Sequence, residues 1–251
     1  MSARTRAGVL GWPVAHSRSP AMHEAAYAAA GLAGWHYQHL PVPPELLAET
    51  VPALPGAGFA GANVTIPHKE AALALATDPT DAARAIGAAN TLTFADDRIE
   101  ADNTDAPGFL AALDADPAGL RATVLGAGGS ARAVVWALRG AGADVEVWNR
   151  TPERGERLAA ELGARAVAEV AGGDLLVSCV PAGGDLPPGE WATVVDLAYG
   201  DEETPLARQA RLGGARTVDG LEVLVRQGAL SFERWTGVEA PLDAMRAATR
   251  G

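Results

Sequence analysis

Residues 121–142 read RATVLGAGGSARAVVWALRGAG: an apolar run, a glycine-rich turn and an alanine-rich helical stretch in immediate succession. Gly126, Gly128 and Ala131 hold the GxGxx(G/A) spacing of a dinucleotide-binding turn. The first glycine lets the backbone turn tightly after a strand, the second lets it approach a pyrophosphate, and the small third residue lets helix pack against strand. The helix N-terminus then offers amides and the positive end of its dipole to the phosphates. The expected binding segment is Gly126, Ala127, Gly128, Gly129, Ser130 and Ala131. A glycine string alone is weak evidence; the strand before it and the helix after it are what assign an α/β fold of Rossmann type here.

The next apolar run, DVEVW, narrows the cofactor. An enzyme selective for NAD would place a carboxylate at the end of this strand, about 20 residues past the first glycine, to bind the ribose hydroxyls. Asn149, Arg150 and Thr151 stand there instead, with Arg154 one turn further on. No acid is present to repel a 2′-phosphate, and two guanidiniums can hold it through charge-assisted bonds. NADP is therefore the expected cofactor. Thr151 can also cap the helix TPERGERLAAEL, a reading compatible with phosphate binding.

Outward from this motif, β-like runs alternate with helical ones. Strands are expected at Ala7–Gly11, Trp35–Leu40, Gly58–Thr65, Ala122–Gly126, Asp144–Trp148, Leu175–Val180 and Thr193–Ala198. Helices are expected at Pro20–Ala30, with Ser19 as cap and Pro20 in the first turn, and at Thr104–Leu113 and Ser130–Arg139. Such alternation marks parallel sheets with crossover helices. Leu92–Glu100 reads instead as a hairpin around Asp96 and Asp97, and the turn DADPAG, residues 114–119, has the composition of a boundary. At 251 residues and 48% hydrophobic content, two domains are expected.

Composition excludes several functions. A net charge of −11 speaks against nucleic acid and anionic lipid as partners. No apolar run reaches the length of a membrane span and the N-terminus lacks a signal-like segment, so a cytoplasmic protein is expected. The single cysteine, Cys179, excludes an intramolecular disulfide and lies in an apolar run as a packing residue. The histidines His16, His23, His36, His39 and His68 show no metal-ligand spacing, so no metal is expected.

Of 20 basic residues only one, Lys69, is a lysine. Arginine keeps its proton in proteins whereas an ammonium can exchange one, so a lysine surviving among arginines points to proton transfer. The four asparagines, Asn63, Asn90, Asn103 and Asn149, all sit beside threonine where a loop would follow an apolar run. Neutral hydrogen-bonding groups gathered at strand ends suit a polyhydroxylated ligand.

These residues carry a resemblance to the shikimate dehydrogenase family over nearly the whole chain. GWPVAHSRSPAMH (residues 11–23) resembles its N-terminal substrate motif, and GANVTIPHK (61–69) its catalytic segment. GAANT and DNTDAPG resemble its hinge-side loops, GAGGSARA and NRTPER its cofactor motifs, and DGLEVLVRQGALSFERWTG (219–237) its closing helix. The resemblance implies a discontinuous substrate domain, residues 1–103 and 220–251, with an NADP-binding Rossmann domain inserted at 104–219. It implies reversible, NADP-dependent reduction of 3-dehydroshikimate to shikimate in aromatic amino-acid biosynthesis, by a monomer or homodimer. Ser17 and Ser19, helped by Tyr199, match the groups that hold the substrate carboxylate; Asn63, Thr65, Asn90, Asp105 and Gln227 match those that bind ring hydroxyls. Lys69 and Asp105 match the catalytic pair. Helix capping is the bland alternative for the serines, and a quinate or dual-substrate dehydrogenase, or an NADP-binding sensor, the functional ones. The chain departs from the family pattern at residues 178–184, SCVPAGG, and at Glu24, where asparagine is usual.

Overall fold

Strand β1 (Thr5–Gly11) is buried without interruption from Ala7 to Gly11, as befits a central strand with neighbours on both edges and helices on both faces. The neighbours are β2 (Trp35–Pro41) and β3 (Phe59–Val64), both parallel to it. Beyond β3 the sheet turns antiparallel through the hairpin β5 (Thr91–Ala95) and β6 (Arg98–Asp102), and β4 (Asp78–Pro79) closes the edge in the order β2-β1-β3-β5-β6-β4. The computed structural model describes residues 5–95, 97–181 and 184–250. The hairpin expectation thus holds, although Asp96 lies outside the described residues.

This sheet belongs to the first of two compact units, Met1–Thr104 with Leu224–Gly251; the second is Asp105–Val223. Helices cover both faces of the first sheet. On one face α1 (Ser19–Ala29), the later part of α9 (Gly220–Thr236) and α10 (Leu242–Arg250) bury Met22, Tyr27, Phe232 and Met245 against Ala7 and Val9. On the other, α2 (Leu47–Ala53) and α3 (Lys69–Leu75) bury Val51 and Ala72 against Leu10 and Leu92. A short helix, α4 (Asp81–Ile86), is capped by the Thr80 hydroxyl, which accepts from the Ala83 amide.

The second unit contains α5 (Asp105–Leu113), α6 (Gly129–Gly140), α7 (Pro152–Leu162) and α8 (Pro205–Leu212). Its strands are β7 (Arg121–Leu125), β8 (Asp144–Trp148), β9 (Arg165–Ala166), β10 (Gly173–Ser178), β11 (Trp191–Asp196) and β12 (Arg216–Asp219). They pair in parallel throughout, in the order β12-β11-β10-β7-β8-β9. Read in chain order this is the 3-2-1-4-5-6 arrangement of a doubly wound dinucleotide fold, with its switch point between β7 and β10.

Several expectations are corrected. Ser19 does not cap α1: it is the first helical residue, and Arg18 holds the cap position with no side-chain bond to the helix. The 114–119 turn lies inside the second unit, linking α5 to β7, and is not a boundary. Strand β10 ends at Ser178, so Cys179 is half-buried just past the strand instead of packed within it. Among the described residues no helix is long and apolar enough to cross a membrane.

One close approach fixes how α9 meets the sheet. Trp235 donates its indole N–H to the Leu92 carbonyl at 3.0 Å, and a Cβ on Gly61 would come within 2.1 Å of that nitrogen. Gly61→Ala must therefore push the indole off its acceptor, and overpacking of this kind costs about 1–3 kcal/mol. The expected outcome is a lower urea midpoint with unchanged m-value, read by tryptophan fluorescence.

Candidate active site

The C-terminal ends of β1, β2 and β3 are laced together by backbone bonds. The Trp12 amide donates to the Ile66 carbonyl at 3.0 Å, the Val42 amide to Gly11 at 3.2 Å and the Thr65 amide to Leu10 at 2.8 Å. His68 donates from Nε2 to the Val42 carbonyl at 2.7 Å. Gly11 has no room for a side chain, since a Cβ would meet the Thr65 methyl at 2.5 Å. This lacing positions Thr65 at a strand end and starts α3 at Lys69, which is buried to 8% exposure. The Lys69 carbonyl accepts from the Ala89 amide at 2.9 Å, tying the lysine's backbone to the residue before Asn90.

The serine loop leaves the end of β1. The Ser17 Oγ donates to the Ser19 Oγ at 3.1 Å and accepts from the Ser19 amide at 3.3 Å. His39 donates a ring N–H to the Ser17 carbonyl at 3.0 Å, and Arg18 donates to the Thr249 carbonyl in the last turn of α10. The two hydroxyls are thus paired with each other on a loop held from both sides, and the Ser17 Oγ also meets the first free amide of α1.

Asn63, Asn90 and Gln227, far apart in sequence, meet in one buried network. The Asn63 amide nitrogen donates to Ser231 Oγ at 2.8 Å, to Thr91 Oγ1 at 3.2 Å and to the Asn90 carbonyl at 3.3 Å. Its oxygen accepts from the Tyr37 hydroxyl at 2.8 Å. Asn90 Oδ1 accepts from the Thr104 amide at 2.7 Å, and its Nδ2 donates to Gln227 Oε1 at 3.0 Å. Thr104 immediately precedes Asp105, the first residue of α5 in the second unit. The other two asparagines hold loops: Asn103 donates to the Ala88 carbonyl at 2.9 Å and Asn149 to the Thr151 carbonyl at 2.8 Å.

In the second unit the glycine turn stands at the switch point. Gly126 has φ 114°, in the region that favours glycine, and a Cβ there would meet the Cys179 carbonyl oxygen and Val180 at 3.4 Å. Gly128 caps α6 with no side chain, nothing lies within 4 Å of where its Cβ would be, and no acid stands in the first turn. Ala131 is fully buried, as a close helix–strand contact requires. The donors and open space fit a pyrophosphate. Thr151 sits at the cap position of α7 without a side-chain cap bond. Arg150 and Arg154 are exposed and make no ion pair among the described residues, whereas Arg132, Arg165 and Arg211 each have a carboxylate partner. Tyr199 lies past β11, half-buried, on the rim of a cavity with Gly200, Glu202 and Thr204. Of the 178–184 loop, Ala182 and Gly183 lie outside the described residues.

Three features escaped the sequence reading. Trp148 walls two cavities of about 520 and 470 Å³, one apolar with Val170, Val180 and Leu206, the other lined by Asn149, Arg150 and Gly155. Ser231, Thr91 and Thr104 supply the hydroxyls between the amides. Glu24, the departure from the family pattern, accepts from the Tyr37 amide at 2.5 Å and so steadies the strand that carries the Tyr37 hydroxyl. Behind Tyr37, His23 stacks ring on ring at 4.3 Å.

A chain that joins a doubly wound dinucleotide fold to a unit with a buried amide network and a single lysine has the architecture of a nicotinamide-dependent oxidoreductase. Family models agree with this class: the shikimate dehydrogenase substrate binding domain matches residues 9–92 and the shikimate 5′-dehydrogenase C-terminal domain residues 220–250. Shikimate dehydrogenase (NADP(+)) of Paracoccus denitrificans is 45% identical, over 94% of this chain and 92% of its own. The crystal structure of shikimate 5-dehydrogenase from Thermus thermophilus, in complex with NADP(H) and shikimate, matches with TM-score 0.89 at 42% identity over 98% of both chains. Ligand-free 5-ketofructose reductase from a Gluconobacter species matches with TM-score 0.87 at 30% identity over 99% of both chains. The chain belongs to the shikimate dehydrogenase family.

The stacked histidine makes acid sensitivity testable. Burial drives the His23 pKa from 6.5 to about 3, against the opposing effect of the neighbouring Asn63 side chain. The unfolded chain therefore binds a proton that the native one refuses. The contribution is complete above pH 6.5 and is lost as pH falls from there toward 3, at about 1.4 kcal/mol per pH unit once the unfolded histidine is charged. His23→Phe should lose less stability than the parent between pH 7 and pH 5, measured as the shift in urea midpoint.

Proposed function

We propose that this chain catalyses the reversible, NADP-dependent reduction of 3-dehydroshikimate to shikimate. The observation that carries the reading is the network joining Asn63, Asn90 and Gln227 in the same unit as the buried Lys69. Neutral amides suit the hydroxyls of a polyol, and the paired hydroxyls of Ser17 and Ser19 suit a carboxylate held without a full countercharge. Tyr199 assists them. Thr65, Asn90, Gln227 and Asp105 address the ring oxygens, and Asn63 supports them from within the network. On this reading residues 1–103 and 220–251 bind the substrate and residues 104–219 the cofactor, in a cytoplasmic monomer or homodimer.

Bound NADPH would supply a hydride to the carbonyl carbon. Lys69 gives its proton to the carbonyl oxygen and stabilises the alkoxide as it forms. Asp105 is the second member of the proposed catalytic pair. The α6 amides beyond Gly128, with Ser130, address the pyrophosphate; Asn149, Arg150, Thr151 and Arg154 address the 2′-phosphate. The test is oxidation of shikimate and of quinate, with NADP and with NAD, assayed side by side; preference for quinate, or for NAD, overturns the assignment.

Two substitutions separate the roles. Arg150→Ala with Arg154→Ala should weaken NADP recognition by about 3 kcal/mol, roughly 100-fold, and leave NAD use nearly unchanged, since each charged hydrogen bond contributes about 1.5–3 kcal/mol. A double mutant that still prefers NADP places the phosphate elsewhere. Lys69→Arg retains charge without a transferable proton, so turnover should fall by about 100- to 10,000-fold while shikimate affinity, read by equilibrium binding, changes less. Turnover within about tenfold of the parent would make Lys69 an electrostatic anchor only.

A further inference from the structure

Ser231 lies on α9 with no exposure at all. On propensity alone alanine would serve better at a buried helical position, because serine competes for the helix's own backbone. Its hydroxyl is spent on the neighbours. It stands 2.8 Å from Asn63 Nδ2, 2.9 Å from Thr91 Oγ1, 3.3 Å from Thr104 Oγ1 and 3.2 Å from the Gln227 carbonyl oxygen one turn back. We propose that Ser231 is a positioning residue that fixes the orientation of the substrate-binding amides, an inference that rests on reading the first unit as the shikimate site.

A hydroxyl has one hydrogen and two lone pairs. The Asn63 N–H occupies one lone pair, which leaves Ser231 to donate to the Gln227 carbonyl or to a threonine and to accept once more. Thr91 and Thr104 stand 3.0 Å apart, so the three hydroxyls form a closed ring. At the far side of that ring, the Thr104 backbone N–H can only donate, and so it assigns the oxygen of Asn90. Asn90 Nδ2 then faces Gln227 Oε1, and Gln227 Nε2 donates to the Leu224 carbonyl at 2.8 Å. Both amides hold one sense, and Gln227 keeps an N–H and a lone pair for a ligand.

Without the Ser231 oxygen the hydroxyl ring that links Asn63 to Asn90 opens at its centre. Asn63 loses its shortest acceptor and keeps only partners at 3.2 and 3.3 Å, while Thr91 loses a partner at 2.9 Å. Both Asn63 N–H groups then rest on these longer bonds, and the Thr91 hydroxyl, which also stands 3.2 Å from Asn90 Oδ1, is free to turn. The cost falls on how well the ring hydroxyls are bound, with less effect on proton delivery from Lys69.

The test measures equilibrium dissociation constants for shikimate and for NADP+ separately, together with steady-state constants, in the full chain. Ser231→Ala, which removes one atom and adds none, should weaken shikimate about tenfold, raise its KM in step, lower kcat by less, and leave NADP+ within about twofold. A loosened fold would move the melting temperature without this selectivity. Wild-type protein that binds no shikimate sinks the substrate reading and the inference with it; wild-type binding with an unchanged Ser231→Ala affinity sinks the inference alone. Should Ser231→Ala not fold, Thr91 decides. Thr91→Val keeps the shape and removes the hydroxyl, and should weaken shikimate; Thr91→Ser keeps the hydroxyl, and should not. Equal affinities in those two variants overturn the proposal.

Discussion

An amide side chain buried at a strand end must satisfy its hydrogen-bonding groups from the protein alone, because an unmet buried donor costs about 1–3 kcal/mol. Asn63, 5% exposed on β3, is that side chain. Its partners come from β2 through Tyr37, from β5 through Thr91, and from α9 through Ser231, 168 residues further along the chain. The first unit could be built from its leading 104 residues only if something else met these groups. The later half of α9 does so, and with it come Gln227 and the apolar residues Phe232 and Trp235 that close the core. Core packing and the amide network thus have one origin.

The second unit solves a different electrostatic problem. A chain of net charge −11 has to attract an anion. On the proposed reading it does so locally, at the side-chain-free cap Gly128 and at Arg150 and Arg154, which make no ion pair among the described residues while Arg132, Arg165 and Arg211 are paired. Near charges and dipoles act at contact range, where a diffuse field that salt screens within about 10 Å counts for less.

What could be read from the sequence was whatever short-range chemistry fixes. The glycine turn is legible because a φ of 114° leaves few alternatives to Gly126, and the β5–β6 hairpin because alternation resumes on both sides of a polar pair. The strands β4 and β9, each of two residues, are set by pairing with β6 and β8 and have no period to detect. Ser19 looks like a cap because serine before proline usually is one; in the structure the helix starts at Ser19 and the Ser17 Oγ accepts from its amide. Ser231 was invisible for a related reason: one serine among apolar helical residues carries no periodic signal, and its meaning lies in contacts with residues more than 120 positions away. Cys179 was misplaced because hydropathy does not mark where a strand stops pairing.

The interrupted first unit also sets an order of assembly. The second unit is one unbroken segment, Asp105–Val223, and closes on local connections. The first holds its leading strands ready but lacks Ser231, Phe232 and Met245 until the last part of the chain has been made. During synthesis the nascent β1–β3 sheet therefore waits with one apolar face bare and the Asn63 amide still bonded to water. Surface of that kind, bare until Phe232 and Met245 cover it, is open to association with other chains.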